Sequence, residues 1–137
     1  MRYVSWRGFG FSGFRGFLAA VFAGWMFAVG GLRAESGAVV IEMTNTLKFV
    51  PEKLTVPVGT TVEWRNASVL VHTVTADPQK AARPKNAALP EGAAPFDSGN
   101  LEVDGTYRHT FTTAGTYRYF CIPHEGAGMV GTIVVRP

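Results

Sequence analysis

The sequence contains a single cysteine, Cys121, so one chain cannot form an internal disulfide. Histidine is nearly as scarce, with three residues in 137. No window combines a sustained helical period with a capping residue, which excludes a helical bundle. Beyond residue 34 no cluster of lysine and arginine occurs, and this argues against a nucleic-acid partner.

The first residues differ in composition from the rest of the chain. Arginines within the first 15 residues precede an uncharged run over residues 17–29. As a helix this run would reach roughly 20 Å, short of the roughly 30 Å hydrocarbon core of a bilayer. We therefore predict an N-terminal signal peptide over residues 1–34, with cleavage after Ala34 or alternatively after Gly31. An uncleaved anchor is the other interpretation.

Removing the predicted signal changes the charge balance of the protein. Four of the 13 basic residues and none of the ten acidic residues precede Glu35. The remaining domain, residues 35–137, carries nine basic and ten acidic residues, a net charge of −1. The basic character of the whole chain is therefore mostly a targeting feature.

Short segments rich in β-branched and aromatic residues follow one another through the exported part, and several alternate apolar with polar residues. They are residues 38–43, 53–59, 60–66, 69–76, 106–112, 116–121 and 131–137. This spacing predicts one all-β domain, a two-sheet Greek-key β-sandwich. Residues 77–99 are rich in alanine and proline without alternation, and we expect a long surface loop there with a helical turn near residues 87–89.

One glycine-rich stretch brings together three side chains that bind soft metals. Cys121 is followed by His124 and Met129. A thiolate, an imidazole and a thioether together suit copper far better than magnesium or calcium. Two histidines and a cysteine, with a methionine on a longer axial bond, form an electron-transfer copper site. A metal also explains a lone thiol in an exported chain.

The second histidine of such a site must come from outside this stretch, and there are two candidates. His109 shares a predicted strand face with Tyr107 and Phe111, which suggests a half-buried histidine with a packing role. His72 lies where an apolar run meets a change of composition, at a possible strand end. We therefore prefer His72 as the upstream ligand.

Most of the chain resembles a known family. Residues 39–135 are similar to the plastocyanin-like type 1 copper domains, the cupredoxins, and "GTYRYFCIPHEGAGMVGTIVV" is especially similar to plastocyanins. The resemblance implies a β-sandwich with one type 1 copper ion near one end, used to carry single electrons. It implies the metal ligands His72, Cys121, His124 and Met129.

Two positions depart from the usual plastocyanin pattern. Thr73 replaces an asparagine, and it can still offer a backbone N–H toward the thiolate and a hydroxyl to brace the loop. Phe120 replaces a tyrosine and lacks its hydroxyl. This weakens the case for a second docking route of the kind used by photosynthetic partners.

The combined expectation is a soluble, monomeric blue copper protein of the periplasm that carries electrons and is not an enzyme. We expect periplasmic donor and acceptor proteins to dock near His124, Pro123 and Ala127. The alternative is a periplasmic copper-binding or delivery protein. Delivery sites tend to be rich in methionine or histidine, and beyond residue 34 only Met43 and Met129 occur.

Overall fold

A computed structural model describes residues 37–137 of the chain. The predicted signal peptide, residues 1–34, lies outside the described residues. Within the described part, no helix has both the length and the apolar character needed to span a bilayer.

Nine strands and two 3₁₀ turns make up this part of the chain. The strands are β1 (Val39–Met43), β2 (Phe49–Val50), β3 (Lys53–Pro57), β4 (Thr61–Asn66), β5 (Thr75–Ala76), β6 (Phe96–Asp97), β7 (Thr106–Thr110), β8 (Gly115–Phe120) and β9 (Val130–Arg136). The 3₁₀ turns cover Pro84–Asn86 and Ile122–Ala127. Residues 37–137 contain no α-helix, so the prediction of an all-β domain is confirmed.

The strands form two sheets, as predicted for a β-sandwich. One sheet has the order β2-β1-β4-β7 and the other has the order β3-β9-β8-β5-β6. Two of the pairings, β1 with β4 and β3 with β9, are parallel, so the chain must cross between sheets to make them. Strand β8 lies between β9 and β5, and it leads directly into the stretch that contains Cys121.

Trp64 lies at the centre of the hydrophobic core. Its side chain is fully buried, and the rings of four aromatic residues surround it at centroid distances of 5.4 to 6.3 Å. They are Tyr119, Tyr107, Phe96 and Phe111. Alternation along β4 points Val62 and Trp64 inward. Met43 is also fully buried in this core.

The prediction of a strand over residues 69–76 is wrong for most of its length. Only β5 is a strand there, and His72 makes a single antiparallel bridge with Leu101. The reason lies in the side chain of Asn66, whose amide donates to the carbonyls of Leu70, Leu101 and Glu102 at 2.7 to 3.1 Å. These bonds hold the chain in a turn instead of a ladder.

Residues 77–99 form mostly irregular chain, as predicted, but the helical turn lies at Pro84–Asn86 and not at residues 87–89. Proline at the first position favours a helical start there because its fixed φ suits the turn and its missing N–H needs no partner. Ala88, just beyond, pairs with Arg118 on β8. The segment is thereby attached to the sheet that carries the cysteine.

Candidate metal centre

Three donor atoms from two distant parts of the chain meet at one end of the sandwich. The Cys121 Sγ lies 3.6 Å from the His72 Nδ1 and 3.3 Å from the His124 Nδ1, and the two nitrogens lie 3.2 Å apart. All three residues form a group with donor atoms within 4.8 Å of one another. His72 and Cys121 are fully buried, while His124 is half-buried.

The turn between β8 and β9, residues 121–129, which we call the donor loop, is closed by its own backbone. The Cys121 N–H donates to the Met129 carbonyl at 3.1 Å, and the Met129 N–H donates to the His124 carbonyl at 3.2 Å. Gly128 adopts a φ of +81°, which residues with a Cβ rarely adopt. Met129 is fully buried at the end of the donor loop.

The structure separates the two candidate upstream histidines. His72 reaches the cluster because its segment, just before β5, lies beside the end of β8, where Thr75 pairs with Phe120. His109 lies on β7 and stacks on Phe96 with ring centroids 4.2 Å apart. It is half-buried, as predicted, and burial lowers the pKa of its imidazole. It takes no part in the donor cluster.

Thr73 supports the cysteine in the two ways predicted from the sequence. Its backbone N–H donates to the Cys121 Sγ at 3.3 Å. Its hydroxyl accepts a hydrogen bond from the Ile122 N–H at 2.8 Å. The first contact favours a thiolate over a thiol, and the second holds the start of the donor loop.

Ser68 orients His72, a role that the sequence did not reveal. The His72 Nε2 lies 2.9 Å from the Ser68 hydroxyl, which itself donates to the Asn66 Oδ1 at 2.8 Å. Because that hydroxyl hydrogen is engaged by Asn66, the serine oxygen accepts from the His72 Nε2–H. The Nδ1 of His72 is then left with its lone pair toward the cluster, as a metal ligand requires.

Burial opposes charge on the donors in the absence of a metal. It lowers the pKa of His72, and the nearby His124 lowers it further. Burial also raises the pKa of the Cys121 thiol, although the hydrogen bonds from Thr73 and His124 act in the other direction. A bound cation reverses this preference because it stabilises a thiolate directly.

Glu125, next to His124, is a buried charged residue that sequence reasoning did not single out. Its side chain is buried, and its carboxylate accepts hydrogen bonds from the backbone N–H groups of Ala82 and Arg83 and from the Asn86 Nδ2, each at 2.9 Å. Burial alone would raise the pKa of this carboxyl, but the hydrogen bonds, together with the positive charge of Arg83, outweigh it and hold the pKa below its usual value. The carboxylate is therefore ionised near neutral pH.

The donor set fits copper. One sulfur and two imidazole nitrogens converge, and the cluster includes no carboxylate oxygen of the kind that magnesium or calcium requires. The buried thioether residue Met129 closes the same loop. A thiolate, two imidazoles and a thioether are the ligand types of blue-copper electron-transfer sites.

Comparisons with known proteins agree with this chemistry. Residues 36–136 match the family described as copper binding proteins, plastocyanin/azurin family. The chain is 39% identical over 105 residues to plastocyanin from Scenedesmus fuscus, covering 77% of this chain and 95% of that protein. It is 42% identical over 95 residues to plastocyanin from Nostoc punctiforme, covering 66% of each.

Solved structures of amicyanin show the same fold. An oxidised mutant of amicyanin matches with a TM-score of 0.57 and 32% identity, covering 73% of this chain and 83% of that one. The Cu(I) form of another amicyanin mutant matches with the same TM-score and coverage at 33% identity.

Proposed function

Since this chain belongs to the plastocyanin/azurin family of copper-binding proteins, we propose that it carries electrons between partner proteins of the periplasm, with copper held by His72, Cys121, His124 and Met129. It is a type 1 copper electron carrier and not an enzyme. The observation that supports the assignment of His72, Cys121 and His124 is the meeting of one sulfur and two imidazole nitrogens within 4.8 Å of one another.

The residues around the cluster hold the donors still. When bound, copper supplies one-electron exchange between its Cu(II) and Cu(I) states. His72 is fixed by Ser68, and Cys121 is fixed by Thr73 and by the end of β8. Because these donors are buried and braced, they keep their positions in both oxidation states, which keeps the reorganisation on electron transfer small.

The half-buried His124 is the proposed point of entry and exit for electrons. Pro123 and Ala127 on either side of it are exposed, small or apolar residues. Two larger apolar side chains are also partly exposed, Leu70 by 38% beside Ser68 and Ile122 by 43% in the donor loop. An apolar surface of this kind suits brief contacts with a redox partner. We propose that periplasmic donor and acceptor proteins dock here.

Expression of the full chain with an export-competent host tests the whole proposal. We expect the periplasmic fraction to contain a protein that begins near residue 35, binds one copper ion per chain, turns intensely blue on oxidation and shows a reversible one-electron couple. Mass spectrometry gives the N-terminus, and visible and EPR spectroscopy identify the site. A colourless, readily exchanged copper ion would favour a delivery protein and contradict the proposal.

The choice of His72 as ligand makes a direct prediction. His72→Gln removes the Nδ1 donor and should abolish the blue absorption and the type 1 EPR signal. His109→Gln is the matched control, because it makes the same change at a histidine that stacks on Phe96 outside the donor cluster. It should leave both spectra unchanged. Loss of both spectra in His109→Gln but not in His72→Gln would show that the upstream ligand is assigned to the wrong histidine.

The docking surface makes a second prediction. Ala127→Glu places a charge beside His124 without touching a ligand, so colour should be normal and the reduction potential nearly so. In electron self-exchange two such surfaces meet, and their like charges should slow the reaction by about tenfold at low salt. NMR line broadening in mixtures of oxidised and reduced protein measures this rate.

Ala94→Glu is the control for this change. Ala94 is also exposed, and it lies near Thr112 and Tyr117, toward the start of β8 and away from the donor loop. We expect a nearly normal self-exchange rate for this variant. If Ala127→Glu also has no effect, the surface around His124 is not where electrons pass, and the rest of residues 77–99 becomes the next surface to examine.

A further inference from the structure

The donor loop contains one buried residue between Cys121 and Met129, and that residue is charged. Glu125 is 5% exposed, whereas its neighbours Gly126 and Ala127 lie on the surface. Within the described residues only one other acidic side chain, Glu63, is this deeply buried. Burying a carboxylate costs free energy unless partners replace its water.

The partners of these two carboxylates differ in kind. Glu63 forms ion pairs with the guanidinium groups of Arg65 and Arg108. Within residues 37–137, Glu125 forms no ion pair, and its three hydrogen bonds come from neutral N–H groups. Two of these donors are main-chain N–H groups, of Ala82 and Arg83, and the third is the Asn86 side-chain amide. The carboxylate therefore binds one short segment, residues 82–86, through hydrogen bonds that require a particular backbone conformation. We call residues 82–86 the clasp segment.

His124 is the donor that most needs an external support. Ser68 supports the outer ring nitrogen of His72, and Thr73 supports the sulfur of Cys121. Among the described residues, the only hydrogen-bond partners of the His124 ring lie within the donor cluster itself. Its ring position therefore depends on the backbone that carries it.

That backbone is irregular at the histidine itself. His124 interrupts the 3₁₀ turn with a φ of −121° and a ψ of 15°, and Glu125 is the next residue. The donor loop closes on one side through the Met129 N–H, which donates to the His124 carbonyl. On the other side the hydrogen bonds of Glu125 attach it to the clasp segment, which the pairing of Ala88 with Arg118 joins to β8.

We propose that Glu125 is a positioning residue, whose carboxylate binds the clasp segment and thereby fixes the backbone that places the His124 imidazole in the copper site. This inference rests on the proposed function of His124 as a copper ligand and as the point of entry and exit for electrons. It also gives residues 77–99 a role, since part of this segment acts as the fixed support for Glu125, 39 to 43 residues further along the chain, and through it for His124.

The first experiment changes Glu125 in two ways. Glu125→Gln removes the charge and turns an amide N–H₂ toward N–H donors. Glu125→Asp keeps the charge but shortens the side chain by one methylene, so it cannot reach all three donors. For both variants we expect electron self-exchange to slow by about tenfold, because small misplacements of a reacting group have large effects on rate. The EPR spectrum should shift or split into two species.

A second readout needs no copper. In the copper-free protein, the amides of Ala82 and Arg83 should exchange hydrogen about tenfold faster in both variants than in the wild type, because local opening becomes easier. Glu91→Gln is the control, since Glu91 is an exposed carboxylate that also lies within residues 77–99. It should match the wild type in exchange, spectrum and rate.

Asn86→Ala keeps the test decisive if the Glu125 variants fold poorly. It deletes one of the three hydrogen bonds without changing the donor loop, and it should alter the EPR spectrum and rate in the same direction by a smaller amount. The double variant Asn86→Ala with Glu125→Gln should be no more impaired in spectrum or rate than Glu125→Gln alone, since both changes break the same contact.

Three results would overturn the inference. They are a wild-type spectrum and rate in Glu125→Gln, wild-type behaviour in Glu125→Asp when Glu125→Gln is impaired, and additive effects with Asn86→Ala. The second would show that charge and not position is what matters. A wild-type protein with no type 1 spectrum would instead refute the proposed function. The hydrogen-exchange measurement would still show whether Glu125 holds the clasp segment.

Discussion

Replacing Cys121 with serine is expected to abolish the blue colour completely. The intense absorption of a type 1 site arises from charge transfer between the thiolate sulfur and copper, and a serine oxygen cannot supply it. The Cys121 Sγ is also the atom that lies near both histidine nitrogens, at 3.6 and 3.3 Å, so no other side chain in the cluster can replace it. Visible absorption and EPR of the copper-loaded variant measure the effect.

A suitable control changes a different donor of the same site. Met129→Gln replaces the proposed axial thioether with an amide oxygen, so this variant should keep copper and its colour while its reduction potential falls. Circular dichroism should show that the Cys121→Ser protein is folded. A folded Cys121→Ser protein that remains blue would show that the cysteine is not the copper ligand.

Gly131→Ala is expected to destabilise the fold strongly. Gly131 on β9 lies directly opposite Tyr119 on β8, and the tyrosine ring covers it. A Cβ at this position would lie 2.2 Å from the Tyr119 Cζ and 2.3 Å from its hydroxyl oxygen, far inside contact distance. The ring cannot move aside easily, because Trp64 and Phe49 pack against it with centroids 5.4 and 4.7 Å away.

We expect the free energy of unfolding to fall by about 3 kcal/mol, the upper end of the usual cost of overpacking a core. The melting temperature should fall by roughly 12 °C or more for a domain of about 100 residues. Thermal unfolding of the copper-free protein measures this without a contribution from metal binding. Gly126→Ala is the control, because no atom lies within 4 Å of its added Cβ and its φ is not positive. Equal stability of the two variants would contradict the account.

The sequence predicts the parts of the site that are encoded locally. Cys121, His124 and Met129 lie within nine residues, and closure of one loop is enough to gather a thiolate and an imidazole. The choice of His72 over His109 required an argument about strand ends, and it is His72 that the structure places in the cluster. The support from Thr73 could also be predicted, since Thr73 directly follows His72 and so lies close to the other donor residues.

The parts that could not be predicted depend on partners far apart in sequence. Glu125 resembles an ordinary surface residue until the fold brings the clasp segment beside it. Likewise, residues 69–76 have the composition of a strand, but the side chain of Asn66 binds the carbonyl groups of Leu70 and Leu101 and so keeps the chain in a turn. In both cases one buried polar side chain outweighs local propensity.

The position of β9 also determines how the chain reaches this structure. This strand completes its sheet between β8 and β3, and it pairs Thr132 with Lys53, 79 residues earlier. Contacts this distant in sequence make folding slow, because the entropy of closing a long loop is lost before the contacts form. The donor loop is held at one end by β9, so we expect β9 to dock before the donors converge and copper to enter a chain that is already folded.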